Sequence, residues 1–246
     1  ACGYKGMGRL ANLKRIIDRI ELLLKQRSDL KGKKILVTAG ATVEEIDPVR
    51  IITNKSSGKM GTNIAEQAFL RGADVFLFRG HNSVEPNYNI KEEKFTTVND
   101  LFSKTKKNIK SADIVIHAAA VSDFAINNKH DSKIKSGKEL HLELSPATKI
   151  FEKLKNLNEK IFLVGFKAEH NVSENQLISS AYDILKKAKA DLVIANDVGK
   201  KGRGFDVDTN EVFVVDKHKK VQHIKLADKR VIADKIFDAI VKRLNK

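Results

Sequence analysis

Four stretches of this 246-residue chain carry residue types that hold anions or polarise carbonyl groups. The first is 33–61, KKILVTAGATVEEIDPVRIITNKSSGKMG. Its apolar opening, Ile35-Leu36-Val37, is followed by a long polar passage holding Gly40, Thr42, Asp47, Arg50 and Asn54, then by Ser56-Ser57-Gly58-Lys59-Met60-Gly61. Strand-to-helix connections usually take about two to six residues, and longer ones tend to be functional. Free N–H groups at a helix start, approached over small residues, make an anion site. Ser56, Ser57 and Gly58 therefore point to a phosphate-bearing ligand. The second stretch, His117-Ala118-Ala119-Ala120-Val121-Ser122-Asp123-Phe124, puts small residues at a strand end. They either let a ligand lie against bare backbone or only allow close helix packing. In the third, Lys133-x-Lys135 places two ammonium groups on one side of an extended loop, suited to a triphosphate, although a lysine-rich chain produces such pairs freely. The fourth is Ser145-Pro146-Ala147-Thr148 at a helix start, with Phe166 further on as either a platform for a ring or a core residue.

These residues need elements to position them. Short apolar runs predict strands over 35–37, 74–78, 113–117, 140–144, 161–166 and 192–195, and a β-rich section over 211–215 and 221–224. Helical spacing predicts helices over 62–71, 101–109, 147–154, 177–187 and 231–244, with Ser145 as N-cap and Pro146 opening the third. The alternation implies a Rossmann-like α/β fold: a mainly parallel sheet, helices on both faces and a small β-rich section near 203–224. Ligands of such sheets lie at the carboxyl ends of strands, where each stretch above falls. The first 31 residues differ. They begin ACGYKGMGRLAN, without apolar period, and then place Leu13, Ile16, Ile17, Ile20, Leu23 and Leu24 on one helical face.

Net charge is +15, from 46 Lys and Arg against 31 Asp and Glu. The basic residues are spread along the chain and aromatic residues are few. The charge therefore reads as a solvated surface that focuses anionic substrates rather than as a nucleic-acid face. A non-enzymatic anion- or nucleic-acid-binding module stays as a further option, which salt-dependent RNA retention would favour. No run is long and apolar enough for a membrane span and no signal peptide is present, so a cytoplasmic location is expected. The one cysteine, Cys2, excludes an intrachain disulfide.

The segment 40–61, GATVEEIDPVRIITNKSSGKMG, resembles the signature of the phosphopantothenate–cysteine ligases (phosphopantothenoylcysteine synthetases) of coenzyme A biosynthesis. Ala119-Ala120-Val121-x-Asp123, Lys133-x-Lys135, Ser145-Pro146-x-Thr148, Gly165-Phe166-x-x-Glu169, Ala195-Asn196-Asp197 and Gly204-Phe205-Asp206 follow in the family's order. Two positions depart from it: Ser136 replaces the last lysine of Lys-x-Lys-Lys, and Ala147 replaces the usual aspartate after the proline. Cys2 and Gly6-Met7-Gly8-Arg9 resemble the C-terminal clamp of phosphopantothenoylcysteine decarboxylase, which many prokaryotes carry fused upstream. The cysteine matching Cys2 is catalytic there. The FMN-binding body of that enzyme is missing from this chain, so no decarboxylation is expected. The resemblance divides the chain into 1–31, a decarboxylase remnant with a linker helix, and 32–246, a ligase domain.

That family joins 4′-phosphopantothenate to L-cysteine through an acyl-nucleotide, using CTP in most microbial members, with Mg²⁺, and it forms homodimers. By resemblance, Asn54 and Lys133 are catalytic, and Arg50 with the backbone of Ala119 and Ala120 binds the acyl substrate. Gly40, Thr42, Ser56, Ser57, Gly58 and Met60 belong to the nucleotide side. His117, Ala118, Lys135, Pro146, Ala147, Thr148 and Phe166 join them there, as does Lys187, chosen among Lys186, Lys187 and Lys189. Asp123 contacts the nucleotide or holds the metal on its phosphates, or else caps a turn. Asn54 either donates to the reacting acyl oxygen or holds a tight turn. The run Val212-Phe213-Val214-Val215 is more apolar than one sheet face requires and marks 203–224 as the expected dimer contact. The competing reading is an NADP-dependent short-chain-type dehydrogenase. Tyr182-x-x-x-Lys186 has that class's base spacing and Arg79 is placed for a 2′-phosphate, but Gly40 and Gly58 are too far apart for its glycine-rich turn.

Overall fold

The apolar run that opens the first stretch is β1 (Lys34–Ala39), buried from Ile35 onward on both faces, which is why it shows no polar alternation. The computed structural model describes residues 27–137 and 139–244, with Leu13, Ile16 and Ile20. Those three are helical, as their spacing predicts; Cys2 and the rest of the predicted N-terminal helix lie outside the described residues.

The described residues form an eight-stranded sheet. Its parallel part comprises β1, β4 (Asp74–Gly80), β5 (Lys91–Phe95), β6 (Ile114–His117), β9 (Phe162–Glu169) and β10 (Leu192–Asp197). Two antiparallel strands, β11 (Thr209–Asp216) and β12 (Val221–Asp228), extend one side. The order is β12-β11-β10-β9-β6-β1-β4-β5. The chain leaves β1 towards β4 and β5, then returns to β6 on the other side of β1, so a topological switch point lies between β1 and β6. Helices α1 (Lys59–Leu70) and α5 (Lys229–Leu244) cover one face, burying Ile64, Ala65 and Ala68 together with Ile232, Ile236 and Phe237. Helices α2 (Val98–Asn108), α3 (Ile150–Leu157) and α4 (Glu174–Ala188) cover the other, through Leu101, Phe151, Leu154, Leu177 and Leu185. Among the described residues no helix is long and apolar enough to cross a membrane.

The structure corrects four expectations. β5, KEEKF, carries four charged residues and buries only Phe95; as an edge strand it has no second apolar face to reveal it. The 40–58 passage is not an open loop, because β2 (Val43–Glu45) and β3 (Ile51–Thr53) pair within it. The predicted strand 140–144 and helix 147–154 both shift. Leu144 to Pro146 form β8, antiparallel to β7 (Phe124–Ile126), and the helix starts at Ile150. Ser145 and Pro146 are thus strand residues, and Pro146 is tolerated because a two-stranded ribbon leaves an N–H direction unused. Finally, the run 212–215 is consumed within the chain: Val212 and Val214 pack towards α5, Phe213 and Val215 towards α4.

Candidate active site

What the sequence places after β1 and β6 builds the cleft. Gly40 has φ +92°, and a Cβ there would lie 1.8 Å from Ser83 Oγ. Gly58 has φ +75°, and its Cβ would lie 2.6 Å from Ser83 Cβ. Two glycines far apart in sequence thus close on one buried serine, folding the β2–β3 excursion back so that Gly58 becomes the N-cap of α1 beside β1. No side chain caps that helix. The first-turn N–H groups, at Lys59, Met60 and Gly61 in the cleft wall, stay available to an anion. Gly61 allows the close approach, since a Cβ there would lie 2.6 Å from Ala39 Cβ.

Beyond β6 the backbone runs beside 40–42. Ala120 N–H donates to Gly40 O (2.7 Å), Thr42 N–H donates to Ala120 O (3.2 Å), and Ser122 N–H donates to Thr42 Oγ1 (2.9 Å). Asn54 Nδ2 donates to Ala120 O at 3.1 Å, joining the two halves. The resulting cleft has a volume of about 690 Å³, within the usual range for small-ligand sites. It runs from Asn54, Ser56, Ser57, Gly58 and Met60, past His117, Ala118, Ala119, Ala120 and Asp123, to Thr148, Phe166 and Lys187. His117 is buried, lies 3.1 Å through Nδ1 from Thr38 Oγ1, and stacks on Phe151 at 6.0 Å. Burial pulls its pKa down to about 4, so the ring is neutral at pH 7.

Seven of the predicted site residues are not in the cleft walls. Thr42 is fully buried and spends its hydroxyl on Ser122, while Gly40 makes room for Ser83. Pro146 lies in β8 and Ala147 N–H donates to Asp123 O (2.9 Å). Arg50 Nη1 is engaged by Asp47 and by Ile134 O, and Lys133 and Lys135 are exposed on either side of Ile134. Among the three lysines considered at the end of α4, Lys187 faces the cleft, Lys186 pairs with Asp183, and Lys189 takes the left-handed C-cap. Asp123 is 69% exposed and paired with Lys149. The described residues contain no cluster of three candidate metal ligands.

Sequence reasoning noted Gly204-Phe205-Asp206 only as a family motif and did not place it in a wall. The 199–208 segment is strapped onto the start of α1: Ser57 Oγ donates to Phe205 O (2.5 Å), and Lys59 Nζ donates to Asp206 O and Asp208 Oδ1 (both 2.7 Å). Lys229, 3% exposed, donates to the carbonyls of Gly204 (3.0 Å), Phe205 (3.3 Å) and Val207. Burial, reinforced by Lys59, pulls its pKa down to about 8. Nothing in the local pattern distinguishes Lys229 from the other surface lysines. The same structure overturns the dehydrogenase reading. Lys186 Nζ lies over the Tyr182 ring at 5.0 Å, and neither residue lines the cleft. Arg79 is buried and committed to Glu92, Glu85 and Ser83 O.

The fold and the cleft together define a doubly wound α/β domain with an uncapped helix start in a cleft at its switch point. Residues 30–244 match the DNA/pantothenate metabolism flavoprotein C-terminal domain, and the chain belongs to that family. It is similar to the coenzyme A biosynthesis bifunctional protein CoaBC of Thermococcus kodakarensis, with 44% identity over 244 residues, 98% of this chain and 58% of the relative. The CoaBC of Bacillus subtilis is 38% identical over 228 residues, 89% of this chain and 55% of the relative. The chain therefore spans little more than half the length of these relatives. The crystal structure of a CoaBC C-terminal domain superposes with a TM-score of 0.75 at 31% identity, covering 89% of this chain and 98% of the other. A Cab2 mutant in complex with phosphopantothenate-cysteine shares the fold, with a TM-score of 0.71 at 21% identity over 94% of this chain and 90% of the other.

Proposed function

We propose that the domain is a phosphopantothenate–cysteine ligase that uses CTP. The observation that carries the reading is the switch-point cleft: an uncapped helix start at one end and Phe166, His117 and Lys187 at the other. It occurs in a chain that is 44% identical, over 98% of its length, to a protein named for coenzyme A biosynthesis. The carboxylate of 4′-phosphopantothenate attacks the α-phosphorus of CTP, expelling pyrophosphate and leaving an acyl-cytidylate. The amine of L-cysteine then attacks the acyl carbon; the amide forms, CMP leaves, and the ammonium proton is lost to solvent. The protein's share is positioning and charge stabilisation.

In this scheme the first-turn N–H groups of α1 and Ser56 hold phosphate; Asp123 would be the protein donor to a Mg²⁺ ion, which would supply charge neutralisation on the triphosphate. The small side chains of Ala118, Ala119 and Ala120 let substrate reach the backbone beside Asn54. Asn54 Nδ2 carries a second hydrogen besides the one given to Ala120, and that hydrogen serves the acyl oxygen as it becomes negative. Phe166 packs on the base. Lys133 and Lys135 meet substrate phosphate at the end of the cleft nearest the Arg50 turn. Residues 1–31, with Cys2, are assigned to a decarboxylase neighbour and its linker, a division supported by a family match that begins at residue 30. With the run 212–215 buried within the chain, the homodimer rests on resemblance to the family, and light scattering at micromolar concentration tests it.

The enzyme is assayed with phosphopantothenate, cysteine, Mg²⁺ and each nucleoside triphosphate in turn, following pyrophosphate and nucleoside monophosphate. Turnover is expected with CTP. Equal turnover with ATP removes the CTP assignment, and none with any nucleotide removes the ligase.

A further inference from the structure

Asp47 lies outside the cleft, yet its carboxylate accepts four hydrogen bonds. The side chain has no solvent exposure. Oδ1 accepts the N–H groups of Val49 and Arg50, both at 2.8 Å. Oδ2 accepts Arg50 Nη1 at 2.7 Å and the N–H of Ile134 at 3.1 Å. A carboxylate offers about four acceptor positions, and all are used. Arg50 Nη1 also donates to Ile134 O at 3.2 Å. Both backbone polar groups of Ile134, 87 residues further along the chain, are therefore held by one Asp–Arg pair.

Ile134 stands between the two lysines of the Lys-x-Lys stretch. It is half-buried, while Lys133 and Lys135 are exposed. From 127 to 143 no helix or strand holds the chain among the described residues. The other ties on this segment are Asn127 N–H to Glu143 O (3.3 Å), which joins its two ends, and, upstream of the lysines, His130 N–H to Ile46 O (2.9 Å) and the Lys129–Glu45 ion pair. The Ile134 clamp is thus what fixes the backbone at the lysines themselves.

We propose that Asp47 is a positioning residue: through Ile134 it sets the place and direction of the Lys133–Lys135 loop. That these lysines meet substrate phosphate rests on the ligase reading; the clamp does not. Burial alone would raise the carboxyl's pKa, but the N–H groups of Val49, Ile134 and Arg50, with the guanidinium of Arg50, outweigh it and hold the pKa at about 2. The anion is therefore present across the whole working pH range.

The two oxygens have separable duties, which gives a discriminating variant. In Asp47→Asn the remaining oxygen still accepts from Val49 and Arg50 and keeps the turn. The new NH₂ cannot accept from Ile134 or from Arg50 Nη1. Ile134→Pro removes the same contact from the other side and leaves Asp47 intact, so it serves if Asp47→Asn fails to fold. Trypsin reads the loop directly, because it cleaves after Lys133 and Lys135; mapping by mass separates these cuts from those elsewhere. Cleavage after Lys135 should accelerate about tenfold or more in either variant, and after Lys133 likewise in Asp47→Asn (trypsin does not cut the Lys–Pro bond of the other), with other sites unchanged. In the ligase assay Asp47→Asn should lose about as much kcat/KM as Lys133→Gln, and the double variant should lose little more than either single one. Unchanged cleavage after Lys135 in both variants overturns the clamp. Faster cleavage with wild-type turnover, or fully additive losses, overturns the functional positioning. If the wild-type chain has no ligase activity, the ligase reading fails and the trypsin result still decides the clamp.

Discussion

Gly165→Ala tests how the sheet shapes the cleft. Gly165 lies in β9, in register with His117 of β6 and Val193 of β10, so its backbone is fixed from both sides. A Cβ added there would lie 2.2 Å from Cζ of Phe151 and 2.6 and 2.7 Å from the two Cε atoms. Ordinary contact begins at 3.4 Å, so the ring must retreat by about 1.2 Å. Phe151 stacks on His117 at 6.0 Å and 12°, and both line the cleft, so the movement changes the wall that faces ligand. Forcing an extra methyl into a packed site costs about 2 kcal/mol, or about 4–8 °C in Tm for a domain of this size. The KM for CTP should rise severalfold. Phe151→Leu removes the clashing atoms, so the double variant should be more stable than the sum of the single losses by about 1–2 kcal/mol. Thermal unfolding and initial-rate kinetics on the four proteins decide it. A Tm within about 1 °C of wild type together with an unchanged KM would refute the packing argument.

Two further predictions concern single side chains. Asn54→Asp places an acceptor where Nδ2 now donates to Ala120 O; the acyl-cytidylate should still form, but its reaction with cysteine should slow about 10²–10³-fold. Mass analysis of quenched reactions should find the intermediate building up, and normal product formation without it removes Asn54 from the mechanism. His117 is neutral in the fold, with a pKa of about 4, whereas an unfolded histidine titrates near 6.5. Between those values the unfolded chain binds the extra proton, so the stability linked to His117 is complete above about pH 6.5 and falls away towards pH 4. Urea titrations of wild type and His117→Gln at pH 7 and pH 4.5 should show the wild type losing roughly 2–3 kcal/mol more, and equal losses would mean that the ring is protonated in the fold.

The sequence by itself determined most of the scaffold. Strands buried on both faces, such as Ile35-Leu36-Val37 and Ile114-Val115-Ile116, appear as unbroken apolar runs because both sheet faces are covered. Helix α1 and its starting point were legible because glycine and serine at a helix start are local signals. So was the order of motifs that carries the family resemblance. What local pattern does not carry is which distant residue receives a given side chain. The β2–β3 and β7–β8 ribbons have three-residue strands, too short for any periodicity to show, and β5 hides its pairing beneath charge.

Only the tertiary structure decided where the predicted site residues stand. Asn54 follows β3, His117 ends β6 and Lys187 lies in the last turn of α4, and only the tertiary structure puts all three in the walls of one cleft. Lys133 and Arg50 do not line the cleft, and Arg50 is engaged instead by Asp47 and Ile134 O. Lys229 is one lysine among many in the sequence. It becomes a buried tether only because α5 starts beneath the carbonyls of Gly204, Phe205 and Val207, a contact that exists once the sheet has brought β12 and β1 into one layer.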